Sequence, residues 1–455
     1  MKNILLIVVD TLRPDHLGCY GYRRPTSPVL DRLAGMGTRL DALWSVSNFT
    51  APAFTSLFTG LHPHHHGVFN FTSQAVSSPI WDLVREAGMR TGGVVTFRFF
   101  RNLLRHIWGP IEAVTDTRGF DFSKNLPLDV TASSLEWLAD QGKDKGPFCL
   151  FVHYDGPHSP FRLPDRFAAG FDSVAPEAVD LQVRRLLLPE AEKLDRRRNK
   201  TSMFKFIKDV NRGRRKLDPV TLQWIIDKYD AAVHYNDHAI GKLLDGLGEL
   251  GLADDTIIAV LSDHGDEFLE HGGFSHGGIH LYEEIVRTVG LIFDPGSPGH
   301  GRHLGQPVSQ VEMLPALLRM AGVENAPSTG LGSLLENGSA PVSPVFCHGK
   351  SKLAMREGDH KLIVPLPNPS LDVITRGKMW INMFLQRELQ TEIFDLARDP
   401  GETRNLASDK ALRRRMQIRL RAHLAAPPPG PLGGDNLSAD ERERIEQEMK
   451  DLGYM

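Results

Sequence analysis

The first ten residues carry a pattern that recurs along the chain: an apolar run without alternation, Ile4-Leu5-Leu6-Ile7-Val8-Val9, stopped by Asp10. A short run of this kind suits a parallel strand covered on both faces. The design returns at Thr256–Leu261, which leads into Ser262-Asp263-His264, and at Phe148–His153, followed by Tyr154-Asp155-Gly156-Pro157-His158. Between these runs the spacing becomes helical. Ser27 then Pro28 predicts an N-cap with proline in the first turn, opening a helix with Val29, Leu30, Leu33 and Ala34 on one face and a stop at Gly35-Met36-Gly37. Pro52 and Gly60 mark the start and end of a second helix. Thr50 then stands just ahead of its N-terminus, where backbone N–H groups and the dipole favour an anion. Leu222–Leu247 has strong helical periodicity, with Trp224, Ile225, Tyr229, Val233, Ile240 and Leu243 on its apolar face.

Strands alternating with helices to about residue 325 predict an α/β fold, a mostly parallel sheet with helices on both faces. In such sheets ligands gather at the carboxyl ends of the strands. Beyond about residue 340 the segments shorten to Val345–His348, Leu353–Arg356, His360–Val364 and Glu392–Leu396, a small antiparallel sheet followed by a helix over Lys410–Ala425. The expected organisation is a domain over 1–335, a small α+β subdomain over 336–425, and a tail over 426–455 with a stiff proline-rich linker and a charged helix.

Composition adds exclusions. The chain has 455 residues, 41% hydrophobic and 24% charged, with a net charge of −3, which gives the whole molecule no affinity for nucleic acid. Cys19, Cys149 and Cys347 are too few and too scattered for a disulfide framework or a zinc motif. The apolar N-terminal run is shorter than a signal core, and no stretch approaches the roughly 20 apolar residues of a membrane span, so the expectation is a cytoplasmic protein without a membrane partner. Residues 184–216 are rich in Arg and Lys. They read first as a solvated helical insertion, and otherwise as a rim attracting an anionic substrate or a surface packing on a partner. This insertion and the C-terminal helix are the candidate surfaces for an oligomer. His62-Pro63-His64-His65-His66 invites a metal reading, but a polar loop after the second helix is the preferred one.

Asp10, Asp263 and His264 at strand ends form an oxygen-rich set with one imidazole, suited to a single divalent ion such as Ca, Mn, Mg or Zn. A hydroxyl beside that ion, Thr50, is a candidate nucleophile. His158 and His276 are candidates to protonate a leaving group or bind an oxyanion.

Ordered through the chain are Val9-Asp10-Thr11-Leu12-Arg13, Gly18-Cys19-Tyr20-Gly21, Ser27-Pro28-Val29-Leu30-Asp31-Arg32-Leu33-Ala34, and Ser56-Leu57-Phe58-Thr59-Gly60 with His64 and His66-Gly67-Val68. Pro157-His158-Ser159-Pro160-Phe161, Ser262-Asp263-His264-Gly265, His276-Gly277 and Ile393-Phe394-Asp395-Leu396 follow. With these stretches the chain resembles the sulfatases of the alkaline phosphatase superfamily. The resemblance implies a mixed, mostly parallel sheet sandwiched by helices plus the small C-terminal sheet, and hydrolysis of a small anionic ester. It places Asp10, Asp263 and His264 at metal positions, His158 and His276 at the transferred group, and Asn70 at a substrate contact. The family's nucleophile motif, Cys or Ser followed at fixed spacing by Pro and Arg, reads here Thr50-Ala51-Pro52-Ala53-Phe54. No formylglycine is therefore expected at residue 50, and the bracing Arg is Phe54. The second Asp common after the first is Thr11. Arg98 stands in the region of an absent Lys and His as a candidate anion contact. Thr nucleophiles occur in phosphorus-handling relatives of the superfamily, which tilts the expectation towards a phosphate or phosphonate (di)ester. Sulfate hydrolysis without formylglycine and a non-catalytic anion-binding protein are the alternatives. Asp230 and His234, four apart on a helix, raise a two-metal variant; continuation of the helix surface is the preferred reading.

Overall fold

The computed structural model describes residues 1–69, 79–95, 113–116, 126–141, 146–188, 196–276, 278, 280–297, 299–349, 351–366 and 390–426. Its main sheet has eight strands: β1 (Asn3–Val9), β2 (Thr38–Leu40), β3 (Arg90–Val95), β4 (Ala113–Asp116), β5 (Phe148–Tyr154), β6 (Thr256–Ser262), β7 (Gly290–Phe293) and β8 (Arg302–Leu304). Their spatial order is β8-β2-β7-β6-β1-β5-β3-β4. β1 lies between β5 and β6, parallel to both. β7 runs antiparallel to β6 and β2, which makes the sheet mixed.

The unbroken apolar run of β1 follows from this central place. Ile4, Leu6 and Val8 face one core with Phe54, Phe58 and Leu317, while Leu5, Ile7 and Val9 face a second core with Trp224, Tyr229 and Ile240. With both faces covered, a polar residue at any of these positions would be buried without a partner.

The helices that frame the site are α1 (Pro28–Met36), α2 (Thr50–Thr59), α3 (Pro63–His66), α4 (Arg196–Asn211), α5 (Pro219–Glu249), α6 (Glu283–Val286), α7 (Met313–Met320) and α8 (Lys410–Ala425). Two helix starts differ from expectation. Ser27 makes no cap bond to α1; its Oγ accepts from Gly18 N at 2.9 Å and donates to Asp31 Oδ1 at 3.0 Å. The orphan donors of α1 go instead to Asp237 of α5, which accepts from Val29 N at 3.0 Å and Leu30 N at 2.8 Å. α2 begins at Thr50 rather than at Pro52, so Thr50 is the first helical residue, with the proline in the same turn. Gly60 ends this helix in the left-handed conformation.

The basic stretch is not merely a solvated insertion. Met203, Phe206 and Val210 of α4 are buried, and Phe206 meets the ring of Phe274 edge-on at 5.8 Å. Asn211 accepts from Phe274 N at 2.7 Å and donates to its carbonyl at 3.0 Å. An apolar stripe at helical spacing outweighs the local charge.

The C-terminal sheet is antiparallel and meandering: β9 (Val345–His348), β10 (Lys352–Glu357), β11 (His360–Pro365) and β12 (Glu392–Asp395). Its period-two pattern splits faces. Val345, Cys347, Ala354 and Ile363 pack on Trp44, Leu281 and Ile285 of the main body, while Phe346, Leu353 and Met355 pack on Met416 and Leu420 of α8. Asp409 caps α8 by accepting from Ala411 N and Leu412 N. A buried ion cluster ties the sheet to α6: Lys361 Nζ lies 3.1 Å from Glu283 Oε1 and 2.8 Å from Glu402 Oε1, and Lys361 is fully enclosed. Lys361→Met is expected to destabilise the protein by about 3–5 kcal/mol, because the buried carboxylate of Glu402 loses its cation, while Glu283 is left with Arg356 Nη1 at 3.4 Å. Urea unfolding of the variant measures the loss. Among the described residues no helix is long and apolar enough to cross a membrane.

Candidate active site

The register of the central strands brings three chain segments to one edge. Val9 pairs with Tyr154 on one side and Ser262 on the other, so Asp10, Asp155 and Asp263 leave the sheet at the same level. The backbone beyond β1 then turns sharply. Thr11 has φ 54°, unusual for a β-branched residue. Neighbours hold it there: Thr11 N donates to Asp263 Oδ1 at 3.1 Å, and its carbonyl accepts from Tyr229 Oη at 2.8 Å. Strain enforced by surrounding contacts is common at functional sites. Gly265 closes the opposite turn, where a Cβ would fall on Glu284 O.

Asp10, Asp263 and His264 each offer one ligand atom within 4.8 Å of the others. All three residues are buried. Asp10 Oδ1 and Asp263 Oδ2 accept no hydrogen bond, although burying an unpaired carboxylate oxygen is costly. Burial, then the charges of Asp263 and Asp266, push the Asp10 carboxyl well above its usual range. These orphaned oxygens with one imidazole fit a hard divalent cation. His264 Nδ1 donates to Gly265 O at 3.0 Å, and its Nε2 faces Asp263 Oδ2 at 3.3 Å.

Thr50 reaches the same place from α2. Its Oγ1 is 3.1 Å from His264 Nε2. One turn later, Phe54 packs edge-on against Phe151 at 5.8 Å and His153 at 5.3 Å, in a fully enclosed apolar seat.

His158 and His276 close the other side. Their ring centroids are 4.8 Å apart, and His276 is 4.5 Å from His264. His158 Nδ1 donates to Ser159 O at 2.6 Å, and burial, then His276, lower its pKa to about 3. Its Nε2 therefore presents a lone pair. His276 differs: its Nδ1 lies 3.0 Å from a carboxylate oxygen, Asp266 Oδ1.

Six sequence candidates thus converge: Asp10, Thr50, His158, Asp263, His264 and His276. Asn70 and Arg98 lie outside the described residues. Two further side chains belong to the cluster. Asp266 orients His276, and His153 places Nε2 3.8 Å from Asp10 Oδ2. In the sequence Asp266 shows only as the second acid in Asp263-His264-Gly265-Asp266, and His153 only as the imidazole on a strand tip. Asp230 is engaged elsewhere, by His16 Nδ1 at 2.7 Å, Tyr22 Oη at 2.6 Å and Arg24 Nη1 at 2.7 Å. His234 Nδ1 points to Thr26 O at 3.3 Å.

Residues 2–323 match the protein family described as Sulfatase. Human iduronate 2-sulfatase is 31% identical over 337 residues, covering 64% of this chain; the chain spans 59% of that relative's length. The arylsulfatase of Clostridium perfringens is 24% identical, with 91% of this chain and 92% of the relative covered. Among solved structures, the phosphonate monoester hydrolase of Agrobacterium radiobacter shares the fold with a TM-score of 0.66 at 17% identity, over 93% of this chain and 96% of that one.

Proposed function

The chain belongs to the sulfatase family of ester hydrolases, and on that premise we propose that it cleaves a phosphate or phosphonate (di)ester with Thr50 as nucleophile and one divalent cation. One observation carries the reading: the Thr50 hydroxyl, at the first position of a buried helix, lies 3.1 Å from His264 Nε2 beside the orphaned oxygens of Asp10 and Asp263. Asp10, Asp263 and His264 would hold the cation, which when bound lowers the pKa of a nearby hydroxyl and offsets charge on ester oxygens.

Thr50 attacks phosphorus, its hydroxyl proton leaving to solvent. The Oγ–P bond forms as the bond to the leaving oxygen breaks. His276 Nε2 gives that oxygen a proton, with Asp266 stabilising the imidazolium from the Nδ1 side. His158, neutral with Nδ1 committed to Ser159 O, suits a proton acceptor, which is why the donor role falls to His276. Water then attacks the phosphothreonine and restores Thr50. A threonine cannot form the hydrated aldehyde that expels sulfate by elimination, and this favours phosphorus over sulfur. The relatives, an iduronate 2-sulfatase and an arylsulfatase, favour a second reading, a sulfuric ester cleaved through Thr50 or water.

A parallel screen of aryl sulfate, phosphate monoester, phosphodiester and phosphonate monoester with Mn, Mg, Ca and Zn decides between them. The expected outcome is phosphonate or phosphodiester turnover at least about 100-fold above sulfate, a transition-state difference of roughly 3 kcal/mol. Acid quench should trap a phosphoryl adduct at Thr50. Sulfate as the preferred substrate would establish the second reading.

A further inference from the structure

The histidine run after α2 meets two distant segments. His348 ends β9 and His423 lies in the last turn of α8. His348 Nε2 and His423 Nε2 are 3.2 Å apart, and the ring of His62 is 4.6 Å from that of His423. One ring nitrogen from each of His62, His348 and His423 lies within 4.8 Å of the others. His64 adds a fourth imidazole at the rim, 4.5 Å from His423 and stacked 5.0 Å from His348. His62 Nδ1 is buried without a hydrogen bond.

Geometry also separates these rings from the rest of the run. His66 is committed to Ser56 Oγ at 2.9 Å and to Val68 N at 3.0 Å. His65 Nε2 is bonded to Ala426 O at 3.0 Å. The selected rings are held in place: His348 N donates to Val46 O at 2.7 Å, its carbonyl accepts from Ser47 Oγ at 2.8 Å, and His423 stacks flat on Phe346 at 3.5 Å. Burial first, then the neighbouring rings, keeps His62 and His423 neutral, with pKa values of about 3 and about 2.

We propose that His62, His348 and His423, with His64 at the rim, bind a divalent transition metal such as Zn2+, at a second site separate from Asp10, Asp263 and His264. The donor chemistry differs between the two. An all-imidazole set selects Zn, Co, Ni or Cu over Mg or Ca, whereas the oxygen-rich set accepts hard ions. The site joins the loop leaving α2, the helix that starts at Thr50, to the end of β9 and to α8. Its occupancy therefore fixes the C-terminal subdomain against the segment that carries the nucleophile.

The test uses the full-length, metal-stripped chain carrying Asp10→Asn and Asp263→Asn, which disables the oxygen-rich set. Titration with Co2+, followed by visible absorption, should show one bound equivalent with the intense bands of nitrogen-ligated tetrahedral cobalt. Zn2+ should displace it and Mg2+ should not. In that background His423→Asn should weaken Co2+ binding by at least about 10–100-fold, the range that even lost outer partners produce. His65→Asn should leave it unchanged. X-ray absorption on the Zn2+-loaded protein, which needs no substitution in the cluster, should count three or four imidazoles. Absence of Co2+ binding at micromolar concentration, or a bound ion with fewer than three imidazoles, would overturn the proposal.

Discussion

Thr50→Ala is expected to lower turnover of an aryl phosphonate or phosphodiester by on the order of 1000-fold or more, while metal binding and the melting temperature stay close to those of the unaltered protein. The magnitude follows from removing a covalent nucleophile, whose loss in other enzymes leaves only the contribution of binding and charge stabilisation. Stability is spared because alanine is a strong helix former and Thr50 is the first residue of α2, ahead of the packed positions Phe54 and Phe58. Thr50→Ser keeps the oxygen and should retain measurable turnover and the trapped phosphoryl adduct. Rates from single-turnover assays separate the step at Thr50 from product release. Unchanged turnover in Thr50→Ala would remove Thr50 from the mechanism.

Asp10→Asn should act in opposite directions on stability and on function. In the metal-stripped protein, Asp10 is a carboxyl that burial and the charges of Asp263 and Asp266 disfavour as an anion. The amide removes that repulsion at almost constant shape, so the melting temperature of the stripped variant should rise. Metal should then do little. A ligand present at about 100 times its Kd stabilises by about 2.7 kcal/mol, and most of that increment should vanish with one of the two carboxylates that bear an orphaned oxygen gone. Affinity should fall by more than the about 10–100-fold that an outer partner costs, and turnover with it. Paired melting curves with and without Mn2+ measure both effects. A stripped variant that melts below the unaltered protein, or an intact metal-dependent rise, would show that Asp10 plays a structural part instead.

What could be read from the sequence was whatever the local pattern determines. The apolar runs ending at Asp10 and Asp263 became adjacent parallel strands, since residues covered on both faces must be apolar whatever covers them. The helix over Lys410–Ala425 and the four short C-terminal strands were legible for the same reason. Contacts between distant segments were not. The cap of α1 comes from Asp237, about 200 residues away, and no local rule could prefer it to Ser27. The polar-loop reading of His62–His66 took no account of His348 and His423, which only the packing of β9 and α8 brings near. Asp266 escaped notice because its role is defined by His276, across a tight turn rather than along a strand. The buried stripe of α4 was legible in principle, at Met203, Phe206 and Val210, but the surrounding Arg and Lys obscured it.

The place of β1 at the middle of the sheet also sets an order of events during synthesis. Its two neighbours are made late: Ile4 pairs with Cys149 on one side and with Ile257 on the other. At about 5–20 residues per second, the ribosome needs roughly 12–50 s to pass from the first partner strand's counterpart at the N-terminus to the second. Throughout that interval the most apolar segment of the nascent chain has an open hydrogen-bonding edge, the kind of surface on which chains aggregate and chaperones act. The contact that brings Asp10 beside Asp263 is thus also the one that ends the exposure of that edge.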